Sequence, residues 1–162
     1  MLSRKMLDGL SEQMNKEIYS GYFYLGMSDY AASANLKGAA NWFYVQWKEE
    51  LGHAKKMLDY VNENGQRAGL KAIDEPPQDF SSAKDLFSRT LAHEKKVTGL
   101  IKDLVRLAKA ENDKQTCDFL QWFIKEQIEE EATPQGILDK MICAEKDGKG
   151  LEELDSQLIA RR

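Results

Sequence analysis

Six side chains of the types that bind metal ions interrupt the apolar faces of four helical segments. They are Glu17, Glu50, His53, Glu94, Gln127 and Glu130. Residues seven positions apart lie on one face of an α-helix. Each of the six is seven positions from an apolar or aromatic residue, as Glu17 is from Leu10 and Tyr24. The spacing therefore predicts that every segment directs at least one carboxylate, amide or imidazole into the protein interior.

The same spacing occurs in both halves of the sequence. Glu17 and Glu50 are 33 positions apart, and so are Glu94 and Gln127. A shift of 77 positions relates Glu17 to Glu94, and Glu50 to Gln127. This pattern predicts two helical hairpins related by a pseudo-twofold axis, with their polar groups meeting halfway along the bundle.

Four carboxylates in one buried layer require positive charge. Burying an ionised carboxylate costs several kcal/mol even after relaxation, and neighbouring carboxylates also repel one another. The four glutamates carry four negative charges when ionised, which two ferrous ions would balance. Oxygen ligands with a single imidazole favour iron or manganese, with zinc as a competitor. The sequence therefore indicates a di-iron site rather than a site for one metal ion.

Five helical segments must hold these residues in place. The 3.6-residue periodicity predicts helices over about 4–35, 39–64, 82–110, 113–145 and 151–159. The connection after the second helix has about 17 residues and would reach roughly 55 Å when extended. A helix of about 26 residues is only about 39 Å long. We therefore predict one all-α domain over 1–162: a four-helix bundle with one long crossover and a short fifth helix. The crossover is long enough for the second and third helices to lie parallel.

Local signals mark the ends of these helices. Gly38 is expected to adopt a left-handed backbone in the first turn between helices, and Gly65 is expected to end the second helix. Asp113 is expected to cap the fourth helix. Pro134 lies inside that helix and is expected to bend it, and the sequence at 147–150 is expected to end it.

Composition and charge argue against several classes of protein. The net charge of −4 and the absence of a basic tail argue against a nucleic-acid partner. No apolar run reaches about 18 residues, so no membrane-spanning helix is expected, and the first residues lack the apolar core of a signal peptide. We therefore expect a cytoplasmic protein in which Cys117 and Cys143 are free thiols.

The residues from Glu50 to His53 form a Glu-x-x-His motif, which binds metal in ferritin-like di-iron bundles. With Glu17, Glu94 and the Gln-x-x-Glu sequence that ends at Glu130, the chain resembles a bacterial non-haem ferritin along its whole length. The resemblance implies an iron-storage protein that oxidises Fe(II) with dioxygen or hydrogen peroxide. It also implies a hollow homo-oligomeric shell of 24 subunits, with the fifth helix at a fourfold axis.

The resemblance further assigns roles to individual residues. It places a first iron ion on Glu17, Glu50 and His53. It places a second on Glu94 and Glu130, with Glu50 as the bridge between the ions and Gln127 close by.

The resemblance also implies a third iron site and two aromatic neighbours. The residues matching the third site are Glu49, Glu126, Glu129 and the shared Glu130. Tyr24 and Trp122 match aromatic residues beside the family's iron centre, where they steady ligands or pass an electron.

His93 lies off the apolar face and is expected to be partly exposed.

Two other functions remain open at this point. A haem-bearing bacterioferritin would have a second Glu-x-x-His motif, whereas Gln127 begins the second motif here. It would also have methionine after the first motif's glutamate, where this chain has Leu51, so no haem is expected. A metal-free structural or interaction bundle would need its central carboxylates to be protonated or solvated.

Overall fold

Five α-helices form the regular structure of the described residues, 1–147 and 150–162, in this computed structural model. They are α1 Arg4–Ser33, α2 Lys37–Glu63, α3 Ala83–Ala110, α4 Lys114–Asp147 and α5 Leu151–Leu158. The predicted helical bundle is confirmed, and the predicted helix ends differ from these by at most two residues. The stop predicted at 147–150 lies partly outside the described residues.

In the described part of the chain, the residue just before the helix caps α1, α3 and α4 with its side chain. At the start of α1, the Ser3 hydroxyl oxygen accepts a hydrogen bond from the Met6 N–H at 3.0 Å. The Ser82 hydroxyl oxygen accepts a hydrogen bond from the Asp85 N–H at 3.1 Å at the start of α3. At the start of α4, Asp113 Oδ1 accepts one from the Thr116 N–H at 2.9 Å. Each bond satisfies a backbone donor that has no partner within its helix. The predicted Asp113 cap is therefore confirmed.

The turn between α1 and α2 differs from the prediction. Asn35, with φ of 61°, adopts the left-handed conformation, whereas Gly38 lies in the first turn of α2. The expectation for Gly38 is wrong: this residue is helical, and its lack of a side chain allows α5 to pack closely against it. A Cβ atom at Gly38 would lie 1.6 Å from the Asp155 carbonyl oxygen. The Asp155 carboxylate accepts hydrogen bonds from the N–H groups of Gly38 and Ala39, at 2.9 and 2.8 Å. A side chain of α5 therefore caps the start of α2.

The connection between α2 and α3 runs along α1 from one end to the other. Near its beginning, the Gln66 side-chain oxygen accepts a hydrogen bond of 2.9 Å from the N–H of Leu2, which precedes α1. Near its end, the Phe80 ring packs edge-on against Tyr30, in the last turns of α1, at 5.3 Å between centroids. The connection therefore spans the bundle, and α2 and α3 begin at the same end and run parallel.

Two apolar clusters fill the interior on either side of a polar layer. The first includes Met6, Leu10, Met57, Ile101 and Leu120. The second includes Met27, Phe43, Phe87, Ile137 and Met141. These side chains repeat at helical spacing, so burying them fixes which face of each helix turns inward. The polar residues between the clusters are thereby held at the middle of the bundle.

The fourth helix continues through Pro134, which is buried. Proline removes one backbone donor, yet the residues on both sides stay helical.

None of the helices in the described part of the chain, including the 34 residues of α4, is long and apolar enough to cross a membrane.

Candidate di-metal centre

The polar layer receives side chains from four helices. Glu17 comes from α1, Glu50 and His53 from α2, Glu94 from α3, and Gln127 and Glu130 from α4. All six are buried, and the most accessible has 9% of its surface exposed. The structure therefore places every residue of the predicted di-iron site in the interior.

Three overlapping groups of ligand atoms occur in this layer among the described residues. In each group, one atom from every member lies within 4.8 Å of the others. The groups are Glu17 with Glu50 and His53, Glu50 with Glu94 and Glu130, and His53 with Glu126 and Glu130. The first two share Glu50, so they form two adjacent candidate metal positions with one carboxylate in common.

Hydrogen bonds fix the orientation of Glu94. The Tyr24 hydroxyl, fully buried, donates to Glu94 Oε1. The Gln127 amide donates to Glu94 Oε2 at 3.1 Å and to the Thr98 hydroxyl at 3.2 Å. Tyr24 and Gln127 thus act on the same carboxylate from different helices, which leaves few rotamers open to it.

Two buried amides that the sequence argument overlooked hold the other carboxylates. Gln13 donates to Glu17 Oε1 at 2.8 Å. Gln46 donates to Glu50 Oε1 at 3.0 Å and to Glu130 Oε2 at 2.7 Å. Gln13 and Gln46 each lie four positions before a predicted ligand, on the same helix face. An amide one turn before a buried carboxylate is the sequence signal that would have found them.

Burial favours the protonated form of the four glutamates of the layer. Burial, with a smaller contribution from the charge of Glu50, raises the pKa of Glu17 to about 8. Burial raises the pKa values of Glu94 and Glu130 to about 7, and burial followed by repulsion from Glu94 raises the pKa of Glu50 well above its ordinary value. Cations that bind here displace these protons and remove the cost of the buried charge.

The residues expected at a third iron site are only partly brought together. Glu126 lies close to His53 and Glu130. Glu49 is exposed and ion-paired with Arg161. Glu129 is exposed and belongs to none of the three groups found among the described residues.

A surface pocket of about 440 Å³ leads to the α2–α4 side of the centre. Its lining includes Glu49, His53, Trp122 and Glu126. The Trp122 ring stands edge-on to the His53 imidazole, with 5.4 Å between centroids. Lys56 lies 4.4 Å above the same indole. This side of the centre is therefore open to solvent through a pocket lined by charged side chains.

His93 packs beside the centre without joining the three ligand groups. It is partly exposed, as predicted, and its Nε2 lies 2.8 Å from the Ser20 hydroxyl. Its ring stands edge-on to Tyr24 at 5.8 Å. Burial, and to a lesser degree Lys96, lowers the pKa of His93 to about 4. The imidazole is consequently neutral at physiological pH.

Buried carboxylates from four helices, one of them in a Glu-x-x-His motif, define the class of di-metal carboxylate four-helix bundles. Comparisons with known proteins identify the family within this class. The ferritin-like domain family matches residues 7–143. A bacterial non-heme ferritin of Bacteroides fragilis (strain 638R) is 40% identical over 161 residues, covering 99% of this chain and 100% of that protein. The chain therefore belongs to the ferritin family, and its function is the storage of iron.

Further relatives agree with this result. A bacterial non-heme ferritin of Campylobacter jejuni is 38% identical over 158 residues, covering 98% of this chain and 95% of that protein. The crystal structure of an open pore ferritin from the hyperthermophilic archaeon Archaeoglobus fulgidus superposes with a TM-score of 0.97. It is 44% identical, with 100% of both chains covered.

Proposed function

We propose that this chain, as one ferritin-like domain over residues 1–162, oxidises Fe(II) to Fe(III) at a di-iron centre and passes the product to a mineral store. The observation that carries the proposal is the pair of ligand groups that share Glu50 within one buried layer. A shared carboxylate between two positions suits a two-electron reaction, because two iron ions can be oxidised together.

Each position has its own ligands in this proposal. The first ferrous ion binds to Glu17, Glu50 and His53, and the second binds to Glu50, Glu94 and Glu130. Gln127 and Tyr24 hold Glu94 in its ligating orientation through their hydrogen bonds. Protein groups thus supply geometry and negative charge, and iron, the substrate, supplies the electrons.

The charge and electron balance of the reaction is simple. The four ionised carboxylates of the two positions offset the charge of two Fe(II) ions. Oxidation releases two electrons, which with two protons reduce one dioxygen to hydrogen peroxide, or one hydrogen peroxide to two waters. Oxidation to two ferric ions adds two positive charges, and an oxo bridge between the ions would cancel them.

A third iron ion binds, in this proposal, on the side of the centre that faces the solvent-connected pocket. Glu126 and Glu130 supply its inner ligands, since both lie in a group with His53. Glu49 and Glu129, which are exposed, complete the site when iron is present. This position would accept iron that leaves the di-iron centre.

The proposed working form is a homo-oligomeric shell of 24 subunits in the cytoplasm. Full-length similarity to ferritins supports the assembly. No haem takes part: the similar proteins of Bacteroides fragilis and Campylobacter jejuni are described as non-heme, and Leu51 stands where a haem-binding methionine would be.

Anaerobic addition of Fe(II) followed by oxygen tests the proposal. The wild-type shell should show a rapid absorbance rise from ferric-oxo species. Glu17→Ala and His53→Ala subunits should still assemble but lose that phase by more than about 10-fold. Glu63→Ala removes an exposed carboxylate of α2 and is the matched control. Undiminished oxidation in both site variants would show that the centre lies elsewhere, and a featureless wild-type response would favour a metal-free bundle.

A further inference from the structure

The segment after α5, residues 159–162, folds back onto the outer side of α2. The Asn41 side-chain amide donates to the carbonyl oxygens of Ile159 at 3.2 Å and of Arg161 at 2.9 Å. The Arg161 guanidinium lies over the Trp42 ring, 4.1 Å from its centroid. These contacts fix the position of Arg161 beside the bundle.

From that position, Arg161 reaches a buried amide. Its Nη2 donates to Gln46 Oε1 at 2.7 Å and also forms the ion pair with Glu49. The Gln46 side chain has only 1% of its surface exposed. Its Nε2 donates to Glu50 and to Glu130. One amide therefore connects the guanidinium to two carboxylates of the di-iron centre.

Hydrogen-bond chemistry allows only one orientation of this amide. A carboxamide has one acceptor oxygen and one donor nitrogen. A guanidinium only donates, and an ionised carboxylate only accepts. Since Arg161 binds the Gln46 oxygen, the NH₂ group must face Glu50 and Glu130. Without Arg161 the oxygen loses its partner, and the amide becomes free to rotate and turn that oxygen toward Glu50 and Glu130. Carboxylates that bind metal ions are deprotonated, so the oxygen would repel them in the metal-bound state.

We propose that Gln46 and Arg161 are positioning residues of the iron centre. Gln46 holds the bridging carboxylate of Glu50 and the terminal carboxylate of Glu130 in their metal-binding orientations, and Arg161 holds Gln46. The inference rests on the proposed function, because it assigns these roles toward the same two metal positions. Loss of groups that hydrogen-bond to metal ligands typically reduces metal affinity 10- to 100-fold.

A binding titration with Co(II) under anaerobic conditions tests the proposal without iron oxidation. Co(II) does not oxidise under these conditions, and its visible absorption bands report coordination geometry. Arg161→Ala should weaken binding about 10-fold and change the band shape, and Gln46→Ala should do the same to a greater degree. Arg161→Lys should restore part of the affinity, because an ammonium group can still donate to Gln46 Oε1. Arg162→Ala removes an exposed arginine and should leave the titration unchanged.

A second variant separates positioning from simple anchoring of the segment. Asn41→Ala removes the clamp on the backbone of residues 159 and 161 but leaves the guanidinium in the chain. The Trp42 ring and the Glu49 carboxylate still hold the guanidinium in this variant. A smaller loss in Asn41→Ala than in Arg161→Ala therefore supports the proposal, and an equal loss overturns it. Wild-type affinity and spectrum in both Arg161→Ala and Gln46→Ala, with assembly verified by size-exclusion chromatography, would also overturn it. Failure of the wild-type shell to bind two Co(II) per subunit would instead refute the di-metal centre itself.

Discussion

Replacing Glu17 by glutamine should stabilise the metal-free subunit at alkaline pH. Burial raises the pKa of this carboxyl from 4.5 to about 8, so the folded state holds its proton more tightly than the unfolded state does. The stabilisation is fully present below about pH 4.5 and is lost as the pH rises through about 8. Glutamine cannot ionise, and its carbonyl oxygen can still accept the hydrogen bond from Gln13.

The size of the effect follows from the pKa difference. One pKa unit corresponds to about 1.36 kcal/mol, so ionised Glu17 costs the folded state about 5 kcal/mol near pH 9. The substitution removes that cost at alkaline pH and changes little near pH 4. For a domain of this size, 1 kcal/mol shifts the melting temperature by about 2–4 °C. Glu17→Gln should therefore raise the melting temperature by roughly 10–20 °C near pH 9.

Thermal unfolding in the presence of a chelator, followed by circular dichroism at acidic and alkaline pH, measures this shift. Glu63→Gln is the matched control, because it removes an exposed carboxylate from the same bundle. A melting temperature for Glu17→Gln that equals or falls below that of the wild type near pH 9 would refute the reasoning. Equal stabilisation by Glu63→Gln would show that net charge, not burial, is responsible.

Three further predictions test other parts of the molecule. Gly38→Ala should lower the melting temperature, since its Cβ would lie 1.6 Å from the Asp155 carbonyl oxygen and force α5 away from α2. A Cβ atom at Gly52 would have no neighbour within 4 Å, so Gly52→Ala should instead stabilise α2 by up to about 1 kcal/mol. An equal shift of the melting temperature in both variants would contradict the role of Gly38. Equimolar Zn(II) should slow Fe(II) oxidation in a stopped-flow assay, because zinc binds such ligands more tightly than ferrous iron, and an unaffected rate would argue against a shared site. The ring of His93 should show no charge change between pH 5 and 8 by NMR, because its pKa is about 4, whereas titration near pH 6.5 would contradict its burial beside Tyr24.

The helices and their inward faces could be predicted because both depend on local repetition. Apolar side chains recur at helical spacing, so the i, i+7 relation alone identified Glu17 and Glu50 as inward-facing. The length of the crossover also allowed the second and third helices to run parallel, as they do in the structure. The burial of four carboxylates in one layer also gave the metal chemistry, because few other arrangements offset that much charge.

Contacts between distant parts of the chain could not be predicted from these patterns. Gly38 was expected to supply a turn, yet its role depends on Asp155, more than a hundred positions later. The same holds for Arg161, which follows α5 and whose partner Gln46 lies on α2. No periodicity relates such residues, and a polar residue that caps a distant helix resembles any exposed polar residue in the sequence.

Anomalous diffraction from crystals soaked with Fe(II) under anaerobic conditions would locate the metal directly. Two neighbouring iron peaks should appear in each subunit with Glu50 between them, one also contacting Glu17 and His53, the other Glu94 and Glu130. Iron found only on surface carboxylates, or at a single position that Glu50 does not touch, would contradict the di-iron centre.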